Sequence, residues 1–295
     1  MIKMKIKRGV LEIAFDIFNT LILILFSIIT IYPLLYVLFA SFSDPNILVG
    51  SGGLLLYPLG FNIDSYIEVF KFPMVTRGYL NTINIVFISL VINITMTSFG
   101  AYALSRKDMP FMATVTKLIV FTMFFSGGLI PFFLVVRGVG LYNSIFSVII
   151  PFSINTFNLI ILKTAFEAMP QSIIESAQID GANDFTILFR IVMPVSMATI
   201  SVLILYYMVQ HWNSWFHATL FISNRNLQPL QVFLREVLIQ NTASASGSSM
   251  RLDKPQMSET IKYATVIVAT LPLLVIYPFL QKFFTKGVMI GGVKG

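Results

Sequence analysis

Six long apolar stretches constrain this chain more than any other feature of its sequence. They lie at about residues 17–40, 79–104, 114–136, 143–162, 191–221 and 263–284. A helix that crosses a bilayer needs about 20 apolar residues, and lipid cannot satisfy free backbone groups. Charged residues make up only 11% of the chain, whereas soluble domains have about 25%. The sequence therefore predicts an all-α integral membrane protein with six transmembrane helices.

Charge and residue types exclude several classes of function. The formal net charge is +7, but membrane proteins collect Lys and Arg on their cytoplasmic side, so this excess does not indicate a nucleic acid partner. The chain has no Cys, which removes disulfides, thiolate metal sites and thiol nucleophiles. The spans contain no paired carboxylates, and no phosphate-binding Gly-x-x-x-x-Gly-Lys-Ser/Thr occurs. We expect no catalytic residues, no metal and no cofactor bound by this chain.

Basic residues set the predicted orientation in the membrane. Four of them lie within residues 3–8, before an apolar stretch that is too long for a signal peptide and is interpreted as a retained span. Arg106 and Lys107 lie in the short connection after the second span. Positive charge in short connections favours the cytoplasm. Both termini, and the polar connection after the fourth span, are therefore predicted to be cytoplasmic in a multi-pass protein of the cell membrane.

Gly, Pro and Ser mark the predicted interruptions. Residues 41–78 are expected to form an ordered outer loop, and Gly127, Gly128 and Pro131 to break the third span. For that break we favour a simple kink over a gate. Residues 224–262 are predicted to be a long polar segment, in which the Ser/Gly/Ala-rich residues 242–249 form a flexible link.

The connection after the fourth span has the pattern of two short helices. Pro170 suits a first helical turn, and Ile173, Ile174 and Ala177 lie on one face at helical spacing. Gly181 suits the position just past a helix end, where the backbone often turns left-handed. Asn183 or Asp184 is able to cap a second helix. The pattern predicts a helix-turn-helix with an exposed Glu175, which is either an ordinary hairpin or a surface that fits a partner.

This connection resembles the EAA loop of permease subunits in binding-protein-dependent ATP-binding-cassette importers. The residues at the matching spacing are Glu175, Ala177, Asp180, Gly181, Ala182, Ile191 and Pro194. Ser176, Leu188, Met193 and Ala198 depart from the usual residues of that pattern. Residues 281–295 resemble the C-terminal signature of the carbohydrate branch, on the side typified by the second maltose permease subunit. Residues 211–216 and 229–231 resemble the subgroup for complex oligosaccharides and polysaccharides.

The resemblance implies a division of the chain and a set of partners. Residues 1–74 would hold the first span and outer loop, residues 75–280 a permease core with the EAA loop at 166–194, and residues 281–295 a cytoplasmic tail. The implied partners are a second permease, an ATPase dimer that binds ATP and Mg, and an extracytoplasmic solute-binding protein. The implied substrate is an oligosaccharide or polysaccharide.

The same resemblance implies how ATP hydrolysis is coupled to transport. The loop would sit in a cleft of the ATPase, with Glu175 paired to a basic residue there. The coupling residues would be Glu175, Ser176, Ala177, Asp180, Gly181 and Ala182. The tail residues Lys286, Gly287 and Lys294 would reach the ATPase interface, the alternative being a disordered basic end. Gly181→Asp or Glu175→Lys is then predicted to uncouple hydrolysis from uptake.

Polar and aromatic residues in the spans are candidates for the substrate path. Aromatic rings bind the apolar faces of sugars, while amides and imidazoles bond their hydroxyls. The candidates are Asn84, Asn93, Asn155, Asn158, Gln210, His211, Trp212 and Trp215. The alternative is structural, because Trp at a span end is often an interfacial anchor and a buried Asn often ties helices together.

Two other transport functions remain open from the sequence. An ion- or proton-coupled secondary transporter generally places ionisable residues at membrane depth. Most of the apolar stretches have no acidic or basic residue, and only His211 and His217 are titratable within the fifth. An importer of the same family for a non-sugar solute is the other alternative.

Overall fold

The computed structural model describes residues 9–106, 110–245 and 255–291, and in those ranges every regular element is helical. The first helices are α1 Val10–Ser41, α2 Pro45–Gly50, α3 Asp64–Lys71, α4 Pro73–Ser105, α5 Met112–Phe121, α6 Leu129–Gly138 and α7 Thr156–Glu167. The remaining ones are α8 Gln171–Ile179, α9 Asp184–Ile187, α10 Met193–Val195, α11 Met197–Trp212, α12 Phe216–Phe221, α13 Leu230–Ala245 and α14 Pro255–Gly291. The predicted all-α membrane class is confirmed.

The chain divides into two compact units, the first of which holds Met1–Lys71 and Gln240–Val268. In this unit α1 exposes apolar side chains along almost its whole length, as a helix surrounded by lipid does. The loop after α1 is ordered, as predicted, and holds α2 and α3. The Ser41 and Tyr66 hydroxyls are hydrogen-bonded at 2.7 Å. Burial raises the pKa of Tyr66 above its ordinary 10.0, so this phenol stays protonated near neutral pH.

The second unit holds Phe72–Ile239 and Ala269–Gly295, and α4 runs through its middle. The helix has 33 residues, which corresponds to about 50 Å at the rise of an α-helix. It packs against α7 and α11. Their shared core includes Leu159, Leu162, Leu203 and Tyr207, all of which are buried. Helix α4 therefore shares one core with α7 and α11.

Of the six predicted spans, the described residues support three as continuous helices and up to five in all. Within the described ranges, three helices are long and apolar enough to cross a membrane alone: Leu11–Ser41, Pro73–Ser105 and Glu259–Pro278. Two more candidate spans are bent pairs, Ile145–Phe152 with Thr156–Glu167 at 46° and Asp184–Val195 with Met197–Trp212 at 86°. The predicted third span consists of the short helices α5 and α6, so the count of six is not reproduced as six continuous helices.

The break in the third span is where the sequence predicted it. Helix α5 ends at Phe121 and α6 begins at Leu129, with Gly128 at φ +86° immediately before it. Pro131 lies in the first turn of α6, where a residue without a backbone N–H costs no helical hydrogen bond.

The fifth span is bent near its start, which the sequence did not predict. Residues 191–195 belong to a bent segment that continues from α9 through a π-helical turn, Leu188–Val192, into α10. The chain then turns by 86° at Ser196 before α11 begins at Met197. The prediction joined the two parts into one straight span because both are apolar, and apolar composition carries no information about a change of direction.

The long polar segment at residues 224–262 was also wrong in part, since α13 occupies Leu230–Ala245. Leu230, Val232 and Leu234 are buried there. Gly78 explains how α13 reaches α4, because a Cβ at that position would lie 2.9 Å from the Leu230 Cα atom. The Leu230 N–H donates to Thr82 Oγ1 at 2.9 Å. Residues 246–249 of the predicted flexible link lie outside the described residues.

Candidate functional site

The predicted helix-turn-helix is present between α7 and α11. Helix α8 begins after Pro170 and ends at Ile179, and Gly181 follows in the left-handed region at φ +81°. The Gly181 and Ala182 N–H groups donate to the carbonyls of Gln178 and Ala177, each at 3.0 Å. Glycine suits this turn because other residues cost about 1–2 kcal/mol in the left-handed conformation.

Asn183 caps the second helix, since its Oδ1 accepts from the Thr186 N–H at 2.9 Å. The neighbouring Asp184 side chain therefore does not cap the helix. The sequence left open which of the two caps the helix, and the structure assigns the role to Asn183. We call residues 171–195 the coupling segment, after the role that the resemblance implies for it.

One side of the coupling segment is buried and the other is exposed. Ala177 packs into the core of the second unit, with Ile174 against it. Ile173 was predicted on the same face but is 41% exposed, because it lies about 100° around the helix from Ile174. Glu175, Ser176, Asp180 and Gly181 are exposed, and Ala182 is half-buried.

The exposed face combines charge with large apolar side chains. Ile179 is 86% exposed and Phe185 is 66% exposed. Glu175 has no ion pair or side-chain hydrogen bond within the described part of the chain. Such a face has the character of a protein contact, which combines large apolar side chains with polar groups at the rim.

Three side chains tie the coupling segment to the C-terminal end of α4. The Tyr102 hydroxyl donates to Asp184 Oδ1 at 2.9 Å. Arg106 Nη1 lies 3.6 Å from the same oxygen and donates to the Tyr102 hydroxyl at 3.1 Å. The Arg106 side chain is only 12% exposed, but the Asp184 side chain is 65% exposed, so water screens the ion pair and the Tyr102 hydrogen bond is the closer contact. We call these three residues the α4 anchor.

Sequence reasoning missed the α4 anchor. Arg106 was used only to orient the chain in the membrane, and Tyr102 was counted as part of a span. The paired tyrosine and arginine one helical turn apart, at the end of an apolar stretch, were a usable signal. Their carboxylate partner lies 82 residues further along the chain, where no local pattern points to it.

Several substrate-path candidates lie in a polar ladder between α4, α7 and α11. The Asn93 amide nitrogen is 2.8 Å from His211 Nε2, and the Thr97 and Tyr207 hydroxyls are 2.7 Å apart. The Asn155 N–H donates to the Tyr207 hydroxyl at 3.0 Å. These bonds tie helices together, which was the structural alternative for buried amides in spans.

The ladder keeps some hydrogen-bonding capacity. Ser89 Oγ, Asn93 Oδ1 and Ser98 Oγ are buried on α4 without a protein partner in the described part of the chain. Buried polar atoms of this kind are costly unless water, ligand or another chain completes them.

The other candidates have different surroundings. Asn84 is exposed on α4, beside the exposed apolar residues Ile83 and Phe87. Asn158 is buried, and its N–H donates to Asn155 Oδ1 at 3.2 Å. Trp212 is buried, and its Nε1 donates to the Ala269 carbonyl at 3.0 Å. Asn158 and Trp212 therefore stand in the packed interior, whereas Asn84 remains open to contact.

Gln210, His211 and Trp215 line one cavity of about 190 Å³ in the second unit. Its other lining residues are Phe152, Asn213, Ser214, Phe216 and His217. Pockets for drug-sized ligands are typically about 300–1,000 Å³. This cavity is therefore smaller than a typical pocket for a drug-sized ligand.

The N-terminal end of α4 is rich in arginine. Arg77 Nη1 donates to Asn226 Oδ1 at 2.6 Å, and Arg225 is paired with Glu236. The Arg235 guanidinium lies 3.3 Å from the centre of the Trp215 ring. Arg137 lies 6.0 Å from the centre of the Tyr142 ring. We call this region the arginine end, and the opposite end, with the coupling segment and the α4 anchor, the loop end.

The predicted C-terminal tail lies only partly within the described residues. Lys286 and Gly287 fall within α14, which extends to Gly291, while Lys294 lies outside the described residues. In the described ranges no group of three or more His, Cys, Asp or Glu side chains is placed to hold a metal ion.

Comparison with known proteins identifies relatives over almost the whole chain. It is 39% identical over 282 residues to the polygalacturonan/rhamnogalacturonan transport system permease protein YtcP of Bacillus subtilis (strain 168), covering 95% of this chain and 98% of that one. It is 37% identical over 281 residues to protein LplC of the same organism, covering 95% of each. No family model matches the chain.

The fold is also similar to solved structures. A chain of a bacterial ABC transporter involved in the import of the acidic polysaccharide alginate superposes with a TM-score of 0.84 at 29% identity. The match covers 95% of this chain and 100% of that chain. The all-helical arrangement described above is therefore the arrangement of a known ABC importer subunit.

Proposed function

Because the chain belongs to the family of ABC transporter permease subunits, we propose that it forms a sugar translocation path with a second permease. An oligosaccharide or polysaccharide is delivered by an extracytoplasmic binding protein. A separate ATPase dimer binds ATP and Mg and drives the transport. This chain itself has no catalytic role. It lies in the cell membrane with both termini and the coupling segment on the cytoplasmic side.

The α4 anchor is the observation that carries the mechanism. The exposed face of the coupling segment offers Glu175 to a partner, while its second helix is bonded through Asp184 to Tyr102 and Arg106 of α4. A displacement of the segment by closure of the ATPase dimer is then transmitted to α4. Helices α7 and α11 follow, because α4 packs against both of them. Energy released by ATP hydrolysis in the partner thus reaches the translocation path.

The turn at Gly181 supports the same mechanism. It fixes the angle between α8 and α9, since three consecutive backbone N–H groups, from Asp180 to Ala182, bond back to α8. A stiff turn is needed because a flexible one would absorb the movement of the ATPase. Glu175, Ser176, Ala177, Asp180, Gly181 and Ala182 are accordingly the coupling residues. The tail with Lys286, Gly287 and Lys294 is proposed to meet the same partner.

A saccharide substrate is supported by the names of the relatives and by the chemistry of the cavity. The relative at 39% identity is named for polygalacturonan and rhamnogalacturonan, and the solved transporter at 29% identity imports alginate. The cavity joins a Trp ring with amide and imidazole groups from Gln210, Asn213 and His211. Aromatic rings and such polar groups together suit the two faces of a sugar.

Asn84 is proposed to take part in the path in a different way. It is exposed on an apolar face of α4, where lipid would leave its amide unsatisfied. A second permease packed against this face would bring Asn84 to the interface between the two subunits, where a path for substrate forms. The buried candidates would then shape the path indirectly, because they hold its helices in place; they are Asn93, Asn155, Asn158 and Trp212.

Co-purification followed by reconstitution tests the proposal. The tagged chain is expected to bring down an ATPase and a second permease, and the complex in liposomes is expected to take up labelled oligosaccharide only with internal ATP and binding protein. Uptake by the purified chain alone, driven by an ion gradient, would instead support a secondary transporter. If the complex takes up a non-sugar solute with ATP and transports no saccharide from a broad panel, the importer assignment stands and the saccharide substrate is refuted.

A further inference from the structure

We infer that Arg235, stacked on Trp215, binds the carboxylate of an acidic sugar residue, so that the substrate of this path is an anionic oligosaccharide. The inference rests on the proposed function and names the substrate class more narrowly. It starts from an imbalance of charge between the two ends of the second unit.

The arginine end holds more positive charge than its own carboxylates neutralise. In the described part of the second unit it carries Arg77, Arg137, Arg225 and Arg235 against one carboxylate, Glu236. Glu236 is already paired with Arg225. In the proposed orientation this end faces outward, and Arg77, Arg225 and Arg235 lie in long connections, where the positive-inside rule has little force. Topology therefore does not account for the surplus, which is available to an anionic ligand.

The surroundings of Arg235 leave its donors available. Its guanidinium lies 3.3 Å from the centre of the Trp215 ring, and within the described residues it makes no ion pair. Contact with a ring uses the flat face of a guanidinium and leaves the N–H groups at its edge, in a fork that matches a carboxylate. The stack also holds the long side chain in place before a ligand arrives, which lowers the entropy lost on binding.

Trp215 connects this cation to the cavity. The same side chain lines the 190 Å³ space with Gln210, His211 and Asn213. Arg235 does not line the cavity itself, but its guanidinium lies on the ring of Trp215, which does. We therefore place a sugar ring in the cavity, beside its amide and imidazole groups, with the ring carboxylate directed toward Arg235. A carboxylate from a protein partner would satisfy the arginine equally well, but it would not use the polar groups of the cavity.

Direct binding to the purified complex, without the binding protein, tests this assignment. The probes are an oligogalacturonate and its fully methyl-esterified form, which has the same rings and length but no charge. We expect the wild-type complex to bind the acid more tightly, and Arg235→Gln to weaken acid binding by about tenfold, the lower range of a lost charge-assisted hydrogen bond. Affinity for the ester should change less than about threefold.

Two further variants separate charge from geometry. Arg235→Lys keeps the charge but loses the flat fork, so affinity for the acid should fall between those of wild type and Arg235→Gln. Lys71→Gln removes a positive charge that Glu68 already neutralises at 2.6 Å, and we expect both affinities to stay within about twofold of wild type.

Three results would overturn the assignment: equal loss of acid and ester affinity in Arg235→Gln, unchanged acid affinity in that variant, or no binding of either probe to the wild-type complex. Failure of the proposed function is distinguishable, because it would appear as absence of ATP-dependent uptake of any saccharide in liposomes with the binding protein. Uptake that persists while the binding test fails refutes the anionic subsite alone.

Discussion

The two ends of the second unit use charge in opposite ways. At the loop end, Lys163 is paired with Glu167 at 2.6 Å and Arg106 with Asp184 at 3.6 Å. At the arginine end, the Arg235 guanidinium lies against the Trp215 ring, and Arg77 donates a hydrogen bond to the Asn226 amide oxygen. Pairing within the chain fixes the shape of a surface, whereas an unpaired cation keeps its charge for something that arrives. In the proposed function, the loop end is accordingly a rigid contact for a protein, and the arginine end is a site for a ligand.

In the proposed function, substrate specificity enters at the arginine end and the energy of ATP hydrolysis at the loop end. About 38 Å of helix separates Arg77 from Tyr102 on α4, and the polar ladder joins α4 to α7 and α11 between them. A ligand at one end and an ATPase at the other would act on the same helix. The following changes test that division, from the largest expected effect to the smallest.

Gly181→Asp is expected to reduce uptake by more than about tenfold while ATP hydrolysis continues. A side chain at φ +81° strains the turn by about 1–2 kcal/mol, and the added charge lies between Asp180 and Asp184. The measurement is the ratio of sugar transported to ATP hydrolysed by the reconstituted complex. Gly138→Asp adds the same side chain on α6, where the new Cβ meets nothing within 4 Å and φ is not positive, and should retain coupling. An unchanged ratio in Gly181→Asp would show that the rigid turn is not required.

Glu175→Lys is expected to weaken binding of the ATPase and to lower uptake by about tenfold. The exposed carboxylate has no partner in the described part of the chain, and reversing its charge would place two cations together at the interface. Co-purified ATPase per permease and uptake are the two readouts. Gln178→Lys adds a charge one turn away on the same helix and should have a clearly smaller effect. Equal loss in both variants would mean that general surface charge, rather than Glu175, governs docking.

Asp184→Asn and Tyr102→Phe are each expected to lower the coupling ratio by about threefold without loss of the ATPase. Each removes one bond of the α4 anchor, and a hydrogen bond to a charged group is worth about 1.5–3 kcal/mol. Glu167→Gln breaks an ion pair of 2.6 Å that lies within one helix, so it should leave the ratio near that of wild type. If the anchor variants behave like this control, force reaches α4 by another contact.

Tyr207→Phe tests the region between the two ends and should have the smallest effect. The hydroxyl is bonded to Thr97 and to the Asn155 N–H, and polar contacts between spans are worth about 0.6 kcal/mol on average. We expect a lower midpoint of thermal unfolding for the complex, with coupling largely retained. Tyr206→Phe is the matched control, because this neighbouring tyrosine is 45% exposed. A coupling defect as large as that of Gly181→Asp would show that the polar ladder is as important for coupling as the turn at Gly181.

Patterns that extend over a few residues were predicted well from the sequence. Gly181 at positive φ and the break before Pro131 follow from local steric and hydrogen-bonding rules. The cap is formed by Asn183, one of the two residues that the sequence offered for it. The family was inferred from the resemblance of the coupling segment and of residues 281–295 to known permeases. The prediction failed at Ser196, because a helix that changes direction keeps the same apolar composition on both sides of the bend.

The candidate site was predicted only in part for the same reason. Glu175 was recognised as exposed, and Gln210, His211 and Trp215 do share a cavity. Arg235 was assigned only to a polar outer segment, since nothing nearby in the sequence shows that α13 brings it onto Trp215. Asn93 and His211 were each identified as polar residues in spans, but their mutual bond depends on how α4 and α11 face each other.

The sequence by itself determined that this chain spans a membrane, because hydropathy acts over short distances along the chain, and its family was inferred from the resemblance of short motifs to known permeases. Only the tertiary structure decided which distant groups meet. Asp184 reaches Tyr102 across 82 residues, and Arg235 reaches Trp215, through the packing of whole helices. Such contacts depend on the shapes of many side chains at once, so no short stretch of sequence encodes them.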